Sequence, residues 1–458
     1  MQRMNALDAG MFFAENDTSP LQIGSVCVFE GPAPDYHDLV RQVFARLRLA
    51  PRCLQRVRTV PFHLAHPVWV DDPHFAIGDH VLHTTAPEPG GPEKLRELVG
   101  RILAPPLDLS RSPWQVWLVD GLADGRWALI CKVHHCMVDG VAGIDLLAVL
   151  LNAGPDWMPE EPRVWLPQPE PSVAAVLRDG VLDGLKGFGR QAARLFLPVL
   201  RDSVAVAGAV PGYAKRLVGS GASSLNGPTG PRRRWTRTHA GMEEVDRIRR
   251  TFGGSVNDVA LAAATRGFRD LLEERGVLEE ESIVRAMVPV SVRSADERGV
   301  ASNRVSAVPV DLPCGVADPL RRLRLVREQM DGLKSRDQAA GLAAFVELAG
   351  RAPGLLAAAA RTALRLRQPL IHTIVTNVPG PASPLYAMGR RMLEIDPYIP
   401  ITAGLRTAVG IVSYDGALSF GLTGDHDAVP DLETLCAGTR EGIDELLKEA
   451  AQTGAITV

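Results

Sequence analysis

The chain has 458 residues, of which 46% are hydrophobic and 22% are charged, and its formal net charge is −3. This composition is ordinary for a globular protein, and the length predicts two domains or two halves of one larger fold. We expect no nucleic-acid partner, because phosphate binding needs a clear basic excess.

The first part of the chain predicts mixed α/β structure. Three kinds of signal define its elements: the helical spacing of apolar residues, a proline in a first helical turn, and turn residues between apolar runs. The predicted elements are a strand at Gln22–Glu30, helices at Tyr36–Leu49 and Pro92–Leu103, a hairpin formed by Val116–Gly121 and Trp127–Val133, and a helix at Gly140–Leu150.

A change of composition follows and predicts a crossover between two halves. The chain is Pro-rich and acidic at Pro155–Pro171, helical in pattern at Ser172–Val218 and rich in Gly, Ser and Pro at Gly219–Pro231. The second half predicts a helix at Ser255–Arg275, strands at Val284–Arg293, Asn303–Leu312 and His372–Val378, and a hairpin at Ala408–Gly424. We therefore expect an N-terminal lobe at 1–152, a crossover at 153–235 and a C-terminal lobe at 236–458.

The six cysteines have no paired spacing and predict buried, reduced thiols in a cytoplasmic protein. They are Cys27, Cys53, Cys131, Cys136, Cys314 and Cys436. Asp8 and Glu15 interrupt the apolar stretch that a signal peptide would need. No run approaches the ~20 apolar residues that a transmembrane helix requires. We expect a protein that is soluble or attached at a membrane surface.

The segment Val133–Gly140 reads VHHCMVDG and lies where an apolar strand is predicted to end and a helix to begin. Side chains at such a junction are held by rigid elements while they stay open to a cleft. Adjacent strand residues point to opposite faces, so only one of His134 and His135 faces the cleft. Imidazole suits proton removal from an alcohol because its pKa lies near the operating pH. Asp139 either orients that imidazole or fixes the loop by pairing with an arginine.

Two other interpretations of this segment remain open. Both histidines could be ordinary hydrogen-bonded residues at a strand end, although a pair followed by x-x-x-Asp-Gly favours a functional site. A metal site is also suggested, because Cys131, His134, His135 and Cys136 lie close in sequence. Strand alternation divides these side chains between two faces, and the second Cys/His pair of a structural zinc site is missing nearby. We expect no metal.

The pattern His134-His135-x-x-x-Asp139-Gly140 resembles the active-site motif of the coenzyme A-dependent acyltransferase superfamily. Six further segments narrow the resemblance to the bacterial wax ester synthase/diacylglycerol acyltransferase family, and they follow its expected order along nearly the whole chain. They are MNALDAGMFFAEN (4–16), SSLNGPTGPRRRW (223–235), SVNDVALAA (255–263), MVPVSVR (287–293), SNRVSAVPVDLP (302–313) and TNVPGPASPLYAMG (376–389). One departure is Ser112-Pro113-Trp114, where the family has Pro-Leu-Trp.

The resemblance implies a mixed α/β (α+β) fold of two lobes, each similar to chloramphenicol acetyltransferase, with a substrate tunnel between them. His135 would be the general base, and the deprotonated acceptor hydroxyl would attack the thioester directly, without an acyl-enzyme intermediate. His134 and Asp139 complete the catalytic set. Asp139 is structural in related enzymes, and Arg293 is its expected partner here. Gly140 leaves room where the loop turns into the helix.

Two segments supply candidates for contacts with substrate or the oxyanion. Asn257 and Asp258 lie at a predicted helix start, where Ser255 and Asp258 also have the spacing of a capping box. Asn257 is the stronger candidate for a direct contact, because the cap accounts for Asp258. Thr376 and Asn377 end a predicted strand at a Pro/Gly turn, and a lining role is favoured over a catalytic one.

Three surface features are ambiguous in the sequence. The basic run Arg232–Arg234 is typical of a solvated face, with coenzyme A phosphates or anionic lipid headgroups as alternative partners. The apolar stretches Leu195–Val210 and Gly341–Leu364 are either packed helices or surfaces that touch a membrane or lipid droplet.

The sequence predicts an O-acyltransferase that moves a long-chain acyl group from acyl-CoA to diacylglycerol, and also to long-chain alcohols. Acyl-CoA is the donor substrate, and we expect no tightly bound cofactor. The expected location is cytoplasmic, peripheral to the membrane or to lipid droplets. Alternatives are an acyltransferase of the same fold with another acceptor, such as a polyketide diol or peptidyl amine, a catalytically silent lipid-droplet-binding protein, and a zinc-dependent hydrolase.

Overall fold

The computed structural model describes residues 2–137, 147, 149–162, 164–180, 224–291, 305–334, 357, 370–402 and 404–456. Two six-stranded sheets organise these residues, and helices pack against both. The predicted mixed α/β fold of two lobes is confirmed. In the described part of the chain, no helix combines the length and the apolar character needed to cross a membrane.

The N-terminal part of the chain contributes strands to a mostly antiparallel sheet. Its strands are β1 Gln2–Arg3, β2 Gln22–Phe29, β3 Gln55–Arg58, β4 Val68–Asp71, β5 Val81–Thr85, β6 Trp114–Asp120 and β7 Trp127–His134. Its helices are α1 Ala6–Ala14, α2 Tyr36–Arg46 and α3 Pro92–Leu103. Strands β2, β7, β6 and β5 are neighbours in the larger sheet, while β1, β4 and β3 form a small separate one.

The C-terminal part of the chain supplies all six strands of the second large sheet, the two strands β13 and β14 of the first sheet, and the small β8–β15 pair. Its strands are β8 Asn226–Gly227, β9 Arg233–Gly241, β10 Val284–Ser291, β11 Val305–Leu312, β12 Thr373–Val378, β13 Tyr386–Ala387, β14 Arg390–Tyr398, β15 Gly404–Leu405, β16 Thr407–Tyr414 and β17 Ala417–Asp425. Its helices are α4 Met242–Phe252, α5 Val256–Glu274, α6 Pro319–Lys334 and α7 Leu432–Ile456. The sheet runs β11-β10-β12-β16-β17-β9, with β12 parallel to both neighbours and β9 at one edge.

Most predicted elements are confirmed within one to three residues, because their apolar periodicity is strong. Helix α3 shows why: its first turn begins at Pro92, and Leu95, Leu98 and Val99 are buried on one face. All six cysteines are buried, as predicted. Most of the predicted helix at Gly140–Leu150 and most of Ser172–Val218 lie outside the described residues, as do both long apolar stretches except Ala357.

One strand departs from the order of the chain. Strand β14 comes late in the sequence, yet it pairs antiparallel with β2 and so belongs to the sheet that contains β7. The lobes are therefore joined by strand exchange as well as by surface contact. The lobe boundaries at 152 and 235 stay a prediction.

The two sheets approach most closely where β14 crosses β16 and β17. Gly410 and Gly421 are direct cross-strand neighbours there. A Cβ atom at Gly421 would lie 1.8 Å from the carbonyl oxygen of Pro397, and one at Gly410 would lie 2.6 Å from a side-chain carbon of Ile399. Only glycine leaves room for this approach of the two backbones.

A buried ion cluster lies in the same seam. Asp396 on β14 is fully buried and accepts hydrogen bonds from Arg237 and from Nε2 of His239, the latter at 2.6 Å. Arg237 also pairs with Glu394 at 2.5 Å. Burial alone would raise the pKa of the Asp396 carboxyl, but the hydrogen bond from His239 and the charge of Arg237 outweigh it and lower that pKa. The cluster thus pairs basic residues on β9 with acidic residues on β14, and so links the two sheets.

Candidate active site

His135 follows the last residue of β7 and begins a 3-10 turn that ends at Met137. Its main-chain N–H donates to the carbonyl of Leu21 at 2.8 Å, which ties the turn to the start of β2. Helix α1 packs against this turn. The His135 side chain is half-buried, so the imidazole is held by rigid elements without being sealed off. We call residues 134–137 the histidine turn.

His134 is fully buried behind the turn, and protein groups hold both of its ring nitrogens. Nδ1 accepts the main-chain N–H of Cys136 at 3.1 Å, so the ring donates through Nε2. Nε2 lies 2.9 Å from a carboxylate oxygen of Glu15. This pairing fixes the tautomer and orientation of His134, and through Cys136 it fixes the backbone of the turn itself.

Glu15 reaches His134 because α1 ends directly before it. The helix starts at Asn5, whose side-chain oxygen accepts the main-chain N–H of Asp8 at 2.8 Å, and Glu15 caps the other end in an extended conformation. Its side chain is only 9% exposed. Glu15 was not among the predicted site residues. The available signal was a carboxylate at the end of the family segment 4–16, immediately after the helix.

The Ser112-Pro113-Trp114 segment supports the same turn from the next strand. The main-chain N–H of His134 donates to the carbonyl of Pro113 at 3.0 Å. The Trp114 indole is fully buried, and its N–H and the Ser112 hydroxyl each donate to the carbonyl of Cys53 at 2.8 Å. The Pro113 carbonyl therefore anchors the end of the histidine strand, while Ser112 and Trp114 fix the segment itself on Cys53.

The environment of His135 keeps its imidazole neutral. Burial lowers the pKa of His135 below 6.5, and the neighbouring His134 lowers it further. A contact with the carbonyl of His135 itself raises the pKa by less than burial lowers it but by more than His134 does. In a neutral imidazole whose N–H faces that carbonyl, the other ring nitrogen is a hydrogen-bond acceptor. The geometry thus supplies a proton acceptor at neutral pH.

A buried cation lies beside the histidine turn. The Lys132 ammonium donates to the carbonyls of Ile102 at 3.1 Å and Pro105 at 2.5 Å, and Gln22 donates to Pro105 as well, at 2.6 Å. These contacts satisfy carbonyls at and just beyond the C-terminal end of α3. Burial lowers the pKa of Lys132 to about 8, against the raising effect of Glu15.

The thiol next to His135 is unsuited to nucleophilic attack. Burial raises the pKa of Cys136 well above 9.0, and the charges of Asp8 and Glu15 raise it further, so the thiolate is disfavoured. The zinc interpretation also meets a geometric obstacle, since protein groups already hold both ring nitrogens of His134.

Among the described residues, one set has donor atoms close enough to share a metal ion. It comprises His239, Glu394 and Asp396 in the seam between the lobes. Arg237 already pairs with both of these carboxylates, and its positive charge opposes a cation there.

In the C-terminal lobe, the predicted capping box at the start of α5 is confirmed. Ser255 accepts the main-chain N–H of Asp258 at 3.3 Å, and Asp258 Oδ2 accepts the main-chain N–H of Ser255 at 2.7 Å and its hydroxyl at 2.8 Å. Asp258 is almost fully buried. These contacts account for Asp258 as a helix cap.

The structure brings two other candidates together. Nδ2 of Asn377, near the end of β12, donates to Oδ1 of Asn257 on the first turn of α5 at 3.3 Å. Both side chains are half-buried, as is that of Thr376. We call Asn257 and Asn377 the amide pair. No hydrogen bond between described residues joins this pair to the histidine turn.

Asp139, Gly140 and Arg293 lie outside the described residues, so the expected Asp139–Arg293 pair stays a prediction. The arginine run is largely engaged by the protein. Arg232 pairs with Asp427, and Arg233 is buried and donates to the carbonyls of Gly230 and Thr18. Arg234 donates through Nε to the carbonyl of His426.

Comparison with protein families gives two matches that together span most of the chain. Residues 4–260 match the wax ester synthase/diacylglycerol acyltransferase catalytic domain. Residues 301–447 match the C-terminal domain of the same family.

Full-length relatives agree with that match. A probable diacylglycerol O-acyltransferase of Mycobacterium tuberculosis strain H37Rv is 37% identical over 450 residues, which cover 98% of this chain and 96% of the relative. A second protein of that strain, also named as a diacylglycerol O-acyltransferase, is 32% identical over 454 residues, which cover 98% of this chain and 91% of the relative.

Solved structures share the fold. The wax ester synthase/diacylglycerol acyltransferase of Marinobacter aquaeolei VT8 superimposes with a TM-score of 0.68 at 24% identity, covering 98% of this chain and all of the other. A starter condensation domain of rhizomide synthetase, solved in complex with C8-CoA, gives a TM-score of 0.54 at 15% identity, covering 98% of this chain and 95% of the other.

Proposed function

Because this chain belongs to the wax ester synthase/diacylglycerol acyltransferase family, we propose that His135 is the general base of its acyl transfer. The donor is a long-chain acyl-CoA, the main acceptor is diacylglycerol, and long-chain alcohols are secondary acceptors. The names of the relatives support diacylglycerol, and the C8-CoA complex of the condensation domain supports a coenzyme A thioester. The product of the main reaction is triacylglycerol.

One observation carries this proposal: a half-buried imidazole with a lowered pKa stands on a turn that Glu15 and His134 hold in place. His135 removes the proton from the acceptor hydroxyl, and the oxygen attacks the thioester carbonyl. The C–S bond of the resulting tetrahedral intermediate then breaks. The leaving thiolate takes the proton from the imidazolium, which restores neutral His135. The raised pKa of Cys136 supports direct attack rather than an acyl-thiol intermediate.

The amide pair is the proposed oxyanion contact. Because Asn377 donates to the side-chain oxygen of Asn257, that amide is oriented, and among the described residues neither hydrogen of its Nδ2 has an acceptor. A preorganised donor of this kind stabilises developing negative charge in the transition state. Thr376 lines the site beside the pair, and Asp258 acts as a cap. Asp139 and Arg293 pair to hold the segment after the histidine turn, and Gly140 leaves space there.

The proposed place of work is the cytoplasmic face of a membrane or the surface of a lipid droplet, with peripheral attachment. Diacylglycerol and long-chain alcohols partition into such apolar phases, since each buried methylene contributes about 0.8 kcal/mol. The enzyme therefore meets its acceptor at that surface, while acyl-CoA arrives from the aqueous side.

The test is thiol release from palmitoyl-CoA by purified protein that is given diacylglycerol, hexadecanol or no acceptor. We expect release that depends on acceptor, and a fall of kcat by about 1000-fold in His135→Ala. His74→Ala, at an exposed histidine, is the matched control and retains activity. Release without acceptor would identify a thioesterase. Absence of release with either acceptor would refute the proposed substrates, and an undiminished His135→Ala variant would refute the proposed base.

A further inference from the structure

A groove of about 830 Å³ lies between α3, the edge strand β9 and the start of α7. Its volume falls within the range of small-molecule sites. Helix α3 covers the edge of β9 so closely that a Cβ atom at Gly100 would lie 2.7 Å from the carbonyl oxygen of Arg233. The groove therefore joins the two lobes, and both contribute to its walls.

The charged lining of the groove includes two arginines whose guanidinium groups have nitrogens without a hydrogen-bond partner among the described residues. Arg101 is exposed on α3 and forms no ion pair or hydrogen bond with any described residue. Arg234 uses only Nε, in its bond to the carbonyl of His426, so both of its terminal nitrogens stay available within the described part of the chain. Arg96 is also present and pairs with Glu433 at 3.4 Å.

The remaining charges of the lining partly balance each other. Arginines 96, 101, 232, 233 and 234 line the groove together with the carboxylates of Asp17, Glu93, Glu97 and Glu433. Arg232 and Arg233 have acidic partners outside the lining, Asp427 at 2.7 Å and Asp425 at 3.9 Å, so Arg101 and Arg234 are the cations best placed for a ligand. The first turn of α7 adds to this, because Leu432 lines the groove and the N-terminal end of a helix carries partial positive charge. Prolines 105, 106, 231 and 430 supply flat apolar walls.

The groove is next to the histidine turn. Asp17 on its rim is two residues after Glu15, the carboxylate that holds His134. Pro105 on its wall accepts hydrogen bonds from Lys132 and Gln22, and Gln22 is the cross-strand partner of His134 on β2. The groove and the catalytic strand therefore share Pro105, which lies in the wall of the groove and accepts hydrogen bonds from residues on β7 and β2.

We propose that this groove binds the phosphorylated nucleotide end of the acyl-CoA donor, with Arg101 and Arg234 on its phosphates. The proposal rests on the proposed function. Coenzyme A carries its phosphates and purine at the end opposite the thioester, separated by the flexible pantetheine arm. Arginines recognise phosphate through paired N–H donors, and the prolines offer a surface for the purine ring. The same chemistry would suit an anionic lipid headgroup, so the test separates the two.

The experiment compares palmitoyl-CoA, palmitoyl-3′-dephospho-CoA and S-palmitoyl-pantetheine as donors, with diacylglycerol as acceptor. For the wild type we expect kcat/KM to fall in that order. Arg101→Gln and Arg234→Gln each reduce the preference for palmitoyl-CoA over palmitoyl-pantetheine by about fivefold, through KM, and the effect shrinks as salt is added. Arg126→Gln is the control, since Arg126 lies at the other end of β7 and pairs only weakly with Asp124, at 3.8 Å.

Equal kcat/KM for the three donors in the wild type, or undiminished preference in both variants, would overturn the proposal while the acyltransferase function stands. Failure of the wild type with every donor would instead contradict the proposed function, and titration with 3′,5′-ADP would still test the groove. Flotation with phosphatidylglycerol vesicles tests the lipid alternative. Loss of vesicle binding in the variants, with donor preference intact, assigns the groove to lipid headgroups and refutes our proposal.

Discussion

The histidine turn and the amide pair belong to different lobes and are held to different degrees. In the turn, His134 is fully buried, and both of its ring nitrogens and its main-chain N–H have protein partners between 2.9 and 3.1 Å. The amide pair is half-buried and is joined by one hydrogen bond of 3.3 Å. One lobe therefore fixes its group in advance, while the other leaves donors that substrate can complete.

The roles that we propose for the two groups account for this difference. A general base must point at one hydroxyl proton, and an error of orientation affects the transfer directly. An oxyanion donor acts on charge that develops later, and its hydrogen bond is completed only by the reacting substrate. We therefore expect changes around the histidine turn to damage folding and activity together, whereas changes in the amide pair should affect activity alone.

After the loss of His135 itself, the largest expected effect tests the turn through Glu15. In Glu15→Ala, the Nε2–H of His134 loses its acceptor in a buried site. We expect kcat to fall by about 100-fold and the free energy of unfolding by about 1–3 kcal/mol. Enzyme assays and urea unfolding measure the two quantities. Glu15→Gln keeps an acceptor oxygen and should retain most of both; equal damage in the two variants would contradict the hydrogen-bond role.

The amide pair gives the next effect and sharpens the contrast. Asn257→Ala removes the proposed oxyanion donor, so we expect kcat to fall by about tenfold to 100-fold with unchanged stability. Because Asn377 acts by orienting Asn257, Asn377→Ala should cost less, and the double variant should resemble Asn257→Ala. Additive losses in the double variant would show that the two amides act separately.

The neighbouring cap separates a structural residue from a catalytic one within the same segment. Ser255→Ala leaves Asp258 in place but removes one half of the capping box. We expect the free energy of unfolding to fall by about 1 kcal/mol and kcat to change by less than about twofold. Thermal unfolding and steady-state kinetics check this. A large loss of kcat without loss of stability would mean that this end of α5 takes part in the reaction.

The smallest effect is in the pH profile. Because the pKa of His135 is lowered, the neutral base form persists to a pH below 6.5. The ratio kcat/KM should be flat from neutral pH down to that point and should fall at lower pH, as the imidazole takes up a proton. Rates of wild type and His74→Ala between pH 5 and 8 measure this. An inflection above 6.5 would contradict the desolvated environment.

The sequence predicts those features of the two sites that depend on residues close together in the chain. Alternation assigned different roles to His134 and His135, and the spacing of Ser255 and Asp258 predicted the capping box that the structure shows. Apolar periodicity located α3 and β12, which are each buried mainly on one face, and a continuous apolar run located β7, which is buried on both faces. These signals are contained in a few consecutive residues.

The contacts that the sequence did not predict join distant residues. Glu15 and His134 are 119 positions apart, and Asn257 and Asn377 are 120 apart. Asp396 meets Arg237 across the seam, again with no local pattern to mark it. Such residues come together only when the sheets and helices that carry them pack. The periodicity of a single sequence does not indicate which of these elements will pack together.

The position of β14 has a consequence for biosynthesis. Strand β2 pairs with β14, whose residues lie near 395. The sheet that contains β2 and β7 therefore lacks strand β14 until the ribosome has made about seven-eighths of the chain. Until then β2 presents an open edge, a template for pairing with another chain. A fragment that ends at residue 260, where the catalytic-domain match ends, keeps that edge for good. We expect such a truncation to aggregate, and the nascent enzyme to depend on chaperones until its last strands emerge.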